Sequence, residues 1–269
     1  MFQFKKYIMC PPKYFKLQYS INPWMDTDKK IDSKKKYKQW EELYKTIKKT
    51  GAEIKLLEPQ KNLPDMVFPD IGILNQNLFI PSVFRYKERK GESKHYVNWF
   101  KNRGYKIIKL KKPGYFEGQG DSIKCGKNIF FGYGFRSSLK AIKKIDKILK
   151  KENKGLKIIP IKLINNKFYH LDTCFCPLDE SKAIFYPEAI SQKSIKKLKK
   201  HFELFPVPAK EAENFICNSV VNKKNIIFQA NNPKTSALFK KLKFKTHPLD
   251  VGEFIKAGGS CRCLSTPLD

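Results

Sequence analysis

Arginine is scarce here. Only five of the 55 basic side chains are arginine (Arg85, Arg89, Arg103, Arg136 and Arg262); the rest are lysine. The net charge of +30 at pH 7 suggests a nucleic-acid partner, but the composition argues against one. Base edges and phosphates are read best by the paired donors of a planar guanidinium. The lysines run through nearly every helix-like segment instead of forming one stripe, as a solvated surface would. No apolar run reaches the ~18 residues of a membrane span. The opening MFQFKKYIMCPP is too short in apolar residues for an export signal. Without such a signal the seven cysteines, an odd number, read as reduced thiols of a cytoplasmic protein. Cys-x2-Cys spacing is missing too: Cys174/Cys176 and Cys261/Cys263 are each one residue apart, which argues against a zinc knuckle.

What is present is periodic. In SKKKYKQWEELYKTIKKTG the apolar residues Trp40, Leu43, Tyr44 and Ile47 follow helical spacing, and Gly51 supplies a stop. Comparable helices are expected over 93–103, 137–150, 191–204 and 233–243. Between them lie short apolar runs with strand character: NLFIP from Asn77, NIFFG from Asn128, AIFYP from Ala183 and NIIFQ from Asn225. Each follows another short strand and a turn, and each precedes a helix and a further strand. A strand–strand–helix–strand unit repeating every ~50 residues predicts a closed array. A fifth unit can be assembled from the two ends, KYIMC near residue 7 with CRCLSTP at the tail. An ordinary α/β sandwich is the competing arrangement. Either way, 269 residues suit one domain, 1–269.

If the units are equivalent, their first strands converge and bring their polar residues together. Those residues are Asp65 and Asp70 in PDMVFPDIG, Glu117 and Asp121 in FEGQGDS, His170 and Asp172 in FYHLDT, and Cys263 in GGSCRCLS. His170 lies in a strongly apolar stretch, and Asp172, two residues on, is expected on the same strand face. The glycines of FEGQGD allow close backbone approach between two carboxylates.

These motifs resemble the guanidine-modifying (pentein) superfamily. The likeness is greatest to the group holding dimethylarginine dimethylaminohydrolase and the catalytic domain of cyanobacterial-type arginine dihydrolase, with arginine deiminase as a further relative. It runs nearly end to end through MCPP, INPWM, PDMVF, RKGE, FEGQGD, GYGFRS, FYHLDTCFCPL and EFIKAGGSCRCL. It implies a five-bladed α/β propeller of ββαβ units with pseudo-fivefold symmetry. It also selects Cys263, not Cys261, as the nucleophile that attacks a guanidino carbon. By the same resemblance Asp70, Glu117 and Asp172 hold the guanidinium, and Asp65 can share that role. His170 is the acid–base, and Arg89, Arg136 and Asn22 grip the amino-acid end of a small-molecule substrate. Neither cofactor nor metal is required, and a homo-oligomer is compatible with the sequence.

Two departures bear on the substrate. Dimethylarginine hydrolases usually lack the aspartate of HLDT, so Asp172 points to an unmethylated guanidine. Arginine dihydrolases typically read VFTANAG where this chain reads VFPDIG, one residue shorter and with Asp70 in place of asparagine. The first expectation is therefore arginine to citrulline and ammonia. Full conversion to ornithine, dimethylarginine hydrolysis and amidino transfer are the alternatives, with a binding protein or a nucleic-acid module behind them.

Overall fold

The computed structural model describes residues 4–110, 114–152 and 155–268. Residues 1–3, which begin the stretch read for an export signal, lie outside it. The chain starts with strand β1 (Lys6–Met9), then a long connection to helix α1 (Ser33–Lys49) and strand β2 (Glu53–Leu56). Asp32 caps α1 by accepting from Lys35 N at 2.9 Å, which satisfies one of the N–H groups a helix start leaves free. Trp40, Leu43 and Ile47 form its buried face. Gly51 then takes φ +87, a left-handed conformation that ends the helix at no steric cost.

Four further units follow. The second holds β3 (Gly72–Asn75), β4 (Leu78–Pro81), α2 (Lys87–Lys90), α3 (Glu92–Lys101) and β5 (Lys106–Ile107). The third holds α4 (Gly118–Asp121), β6 (Ser122–Cys125), β7 (Asn128–Tyr133), α5 (Leu139–Glu152) and β8 (Lys157–Lys162). The fourth holds β9 (Phe175–Pro177), β10 (Lys182–Phe185), α6 (Gln192–Leu198) and β11 (Glu203–Pro206). After α7 (Ala209–Glu213), the last runs through β12 (Val220–Asn222), β13 (Asn225–Gln229), α8 (Pro233–Lys241) and β14 (Lys245–Leu249). Helix α9 (Gly252–Ile255) leads to the final strand, β15 (Thr266–Pro267).

Among the described residues these strands make five separate three-stranded sheets. In each, the middle strand pairs antiparallel on one side and parallel on the other. The four expected apolar runs are the middle strands β4, β7, β10 and β13. The fifth sheet joins the two ends of the chain: β15 pairs with β1 in the register Tyr7↔Pro267, Ile8↔Thr266, and β1 pairs with β2. Middle strands buried on both faces read as continuous apolar runs without alternation. Ile129, Phe130 and Phe131 of β7 are each 3% exposed or less.

Two local expectations are corrected. The helix read over 191–204 ends at Leu198, because residues 203–206 are drawn into parallel pairing with β10. His170 and Asp172 do not share a strand face. His170 is extended (φ −118, ψ 155), but Leu171–Thr173 form a 3-10 turn, closed where the Thr173 hydroxyl donates to His170 O at 2.6 Å.

Candidate active site

The polar residues expected on first strands sit in the turns just before those strands. Asp70 precedes β3, Glu117 caps and Asp121 ends α4 ahead of β6, His170 and Asp172 precede β9, and Cys263 precedes β15. A strand whose two faces are committed to packing has no polar face to offer. The irregular residues before it are free to aim side chains inward.

One pocket collects most of these residues. Asn22, Asp65, Asp70, Arg89, Arg136, His170, Asp172 and Cys263 all line it. Glu117, fully buried beneath, touches two of them. Its Oε2 accepts from Arg136 Nη1 at 2.7 Å and lies 3.1 Å from His170 Nε2, while its Oε1 accepts from Arg85 N at 3.1 Å. Asp70 Oδ2 stands 3.8 Å from the same imidazole nitrogen. Gly120 packs against the other side of the ring: a Cβ there would lie 2.2 Å from His170 Nδ1, so only glycine leaves the imidazole in place.

The electrostatics follow from these contacts. Burial alone would raise the Glu117 pKa, but the Arg136 ion pair and the His170 contact outweigh it and bring it down to about 2. For His170 burial works toward the neutral form, and the carboxylates of Asp121, Glu117 and Asp70 overcome it, so its pKa is raised. Burial pushes Asp172 up to about 6, opposed by His170 and Arg262. Cys263 Sγ, 3.6 Å from Asp172 Oδ2, has its pKa raised well above the usual thiol value by removal from water and by that neighbouring charge. These surroundings favour the protonated imidazole and the neutral thiol.

Two carboxylate oxygens in this pocket have no hydrogen-bond partner: Asp70 Oδ2 and Asp172 Oδ1, both fully enclosed. Their sister oxygens are engaged. Asp70 Oδ1 accepts from Gln119 N at 2.6 Å, and Asp172 Oδ2 faces the Cys263 thiol and Arg262 Nε at 3.9 Å. A buried acceptor left open is costly unless a donor arrives, and a carboxylate prefers a cationic donor. The arrangement suits a planar cation with N–H groups directed at both aspartates and a carbon facing sulfur.

Asp121 does not line the pocket. Its Oδ2 accepts from the Ser137 hydroxyl at 2.6 Å and its Oδ1 from Leu171 N at 3.2 Å, so it supports the backbone carrying His170 instead of meeting a ligand. Burial pushes its pKa up to about 7. Arg89 and Arg136 line the pocket but are not free. Arg89 Nε and Nη2 each donate to Glu92 at 2.8 Å, and Arg136 lies between the rings of Tyr86 and Tyr169, each centroid 4.7 Å away. Asn22 uses its side chain on Trp24 N, Met25 N and Ala257 O, which fixes the 20–25 loop over the pocket.

The sequence reading missed Asn218. It donates to Cys263 Sγ at 3.1 Å and accepts from Cys263 N at 3.0 Å and Arg262 N at 3.1 Å, clamping the thiol-bearing turn. Its signal was positional: it stands two residues before β12, where the other units place their site residues. Cys261 is fully buried, with its thiol raised to about 12 by burial, a packing residue. Among the described residues Asp70, Glu117 and His170 bring one potential metal-ligand atom each within 4.8 Å of one another. The imidazole nitrogen there already faces Glu117, and the proton favoured by its raised pKa would have to leave before a cation could bind. No helix among those residues is long and apolar enough to cross a membrane.

Comparison with known proteins agrees with this geometry. The family profile for N,N dimethylarginine dimethylhydrolase (eukaryotic) matches residues 12–268. The N(G),N(G)-dimethylarginine dimethylaminohydrolase of Mycobacterium tuberculosis is 33% identical over 261 residues, covering 96% of this chain and 84% of the relative. The bifunctional arginine dihydrolase/ornithine cyclodeaminase ArgZ of Synechocystis is 36% identical over 268 residues, 96% of this chain but 37% of that protein. This chain thus spans little more than a third of the bifunctional relative. The product-bound N-terminal domain of ArgZ, an arginine dihydrolase from cyanobacteria, superposes with a TM-score of 0.92 at 33% identity, covering 98% of this chain and 97% of that one. The mixed α/β fold with five small sheets is that of the pentein structures. The chain belongs to the N,N-dimethylarginine dimethylhydrolase family of the pentein superfamily, hydrolases of C–N bonds in linear amidines.

Proposed function

We propose that the chain hydrolyses the guanidino group of arginine to citrulline and ammonia through a covalent intermediate on Cys263. One observation carries this reading: the open, buried oxygens of Asp70 and Asp172 flank a pocket that also holds a thiol. An unmethylated guanidinium satisfies both. Methyl groups against Asp172 Oδ1 would leave a buried carboxylate without its partner, at a cost of about 3–5 kcal/mol.

The resting thiol is neutral, so the substrate helps to ionise it. Bringing the guanidinium cation against Cys263 and Asp172 offsets the effects that hold the proton on sulfur, and that proton passes to solvent as the substrate binds. The thiolate attacks the guanidino carbon. His170, protonated and held by Glu117, gives its proton to the departing nitrogen, and ammonia leaves a thiouronium on Cys263. His170 then takes a proton from water as it adds to the same carbon. The C–S bond breaks, and citrulline and the thiolate are released. The N–H groups of Arg89 and Arg136 not already given to Glu92, Glu117 and the carbonyls of Asp65, Phe68 and Ile21 hold the amino-acid end, with Asn22 beside them, and Asp65 can share the guanidinium. A five-bladed propeller formed by one domain is the arrangement that five sheets of one strand order favour.

Similarity to ArgZ favours a second reading, continued hydrolysis to ornithine. Incubation with arginine, monomethylarginine and dimethylarginine separately, with ammonia, citrulline and ornithine resolved and Cys263→Ser as control, distinguishes them. Citrulline from arginine alone supports the first reading, and two ammonia with ornithine the second. Turnover of the methylated compounds only would overturn the role given to Asp172.

A further inference from the structure

A second cavity lies directly behind the reacting end of the catalytic pocket. It encloses about 50 Å3, against about 40 Å3 for the pocket itself, enough for about three waters. The two spaces share Gln119, Arg262 and Pro267 as a partition. That partition stands beside Asp70 and Asp172, between which the proposed reaction places the guanidino carbon. Gln119 N donates to Asp70, and Arg262 Nε is 3.9 Å from Asp172 Oδ2, buried and without a hydrogen-bond partner. Asn22, Arg89 and Arg136 border the pocket but not the second cavity. Gln119, Ser122, Ser219 and Arg262 bring polar groups into a wall that is otherwise mostly apolar, and Lys124 in that wall is exposed.

The reaction has a need that this space answers. Ammonia must leave, and water must then reach the same carbon, while the rest of the substrate is still attached to Cys263 and its amino-acid end fills the mouth. We infer that the second cavity is a passage for water and ammonia, opening to the reacting carbon past the side chains of Arg262 and Gln119. This rests on the hydrolase reading above. The passage makes and breaks no bond. It carries the nitrogen released when the C–N bond breaks and the water whose oxygen replaces sulfur on the carbon.

Val221 and Leu74 border the second cavity from different sheets and do not line the catalytic pocket. Val221→Phe and Leu74→Phe each narrow the passage without touching the site, and either folded variant decides. With arginine, rapid-quench mass spectrometry should find the Cys263 adduct forming at the wild-type rate. Steady-state kcat should fall about fivefold or more, with adduct accumulating because its hydrolysis has become limiting. A merely structural effect would slow both steps together and leave no excess adduct. Unchanged kcat in a folded variant overturns the passage alone. A wild-type protein that forms neither adduct nor ammonia overturns the hydrolase reading, and the passage with it.

Discussion

Glu92 and Asp172 are both carboxylates withdrawn from water, 0% and 2% exposed, and the fold treats them in opposite ways. Glu92 is fully answered. Arg89 donates to both its oxygens, and Tyr96 Oη adds a third bond at 2.8 Å. Glu92 raises the Arg89 pKa well above the usual value, while burial pushes Glu92 itself up to about 7 against the pull of Arg89; the three short hydrogen bonds favour the ion pair. Asp172 has a distant arginine, a neutral thiol and one oxygen with nothing at all. Both positions are equally buried; only one is finished. The unfinished one marks where a ligand belongs, because a fold keeps a buried open acceptor only where something offsets its cost.

The comparison can be tested at four levels. The largest effect is expected from Cys263→Ser, which leaves both carboxylate clusters intact. Turnover should fall on the order of 10^4-fold or more while arginine still protects the protein thermally. Loss of that protection as well would mean the open oxygens do not bind the guanidinium. Asp172→Asn keeps the shape and removes the charge. The value of kcat/KM for arginine should drop by about 10^2-fold, as for a lost charge-assisted hydrogen bond, with the ligand-free melting temperature unchanged or higher. Glu92→Gln should do the reverse to stability. An arginine buried without its counter-charge costs ~3–5 kcal/mol, read as a melting temperature lower by roughly 10 °C. Equal melting shifts for the two variants would erase the distinction.

The smallest effect is in pH. Asp172 is raised to about 6, Asp121 and Glu92 to about 7, and Asp65 and His170 are raised as well, so all hold protons more tightly folded than unfolded. Stability from such groups is complete at low pH and is lost as pH rises through the folded values. The ligand-free protein should therefore melt a few degrees lower at pH 8 than at pH 5, by differential scanning calorimetry. Arginine, which answers the ionised Asp172, should stabilise more at pH 8 than at pH 5. Glu117, lowered to about 2, acts oppositely and only below the ordinary carboxylate range.

The repeat was legible because middle strands buried on both faces leave uninterrupted apolar quartets, and such runs stand out in a lysine-rich chain. Cys263 was singled out by the family resemblance of GGSCRCLS, and His170 by an imidazole in an apolar stretch beside a carboxylate; the structure brings both into one pocket. What escaped depended on backbone geometry that side-chain pattern does not encode. Thr173 closes a turn where alternation suggested a strand, so the reading placed Asp172 in the pocket for the wrong reason. Asp121 looked equivalent to Glu117, but the short helix that Glu117 caps and Asp121 ends leaves Glu117 in contact with Arg136 and His170 and turns Asp121 onto Ser137 and Leu171 N. Asn218 was invisible because asparagine before a strand is common in turns; only its register within the repeat distinguishes it.

The pairing of β15 with β1 has a consequence for synthesis of the protein. A ribosome that has made the first 250 residues has made every carboxylate of the site and the imidazole, but not the sulfur, and β1 still lacks its antiparallel mate. At ~5–20 residues per second the growing chain passes from that condition to Cys263 in about 1–3 seconds. The nucleophile and the strand that closes the fifth sheet then arrive together, three residues apart. The thiol proposed to attack the substrate is thus added to a pocket whose carboxylates and imidazole are already in the chain.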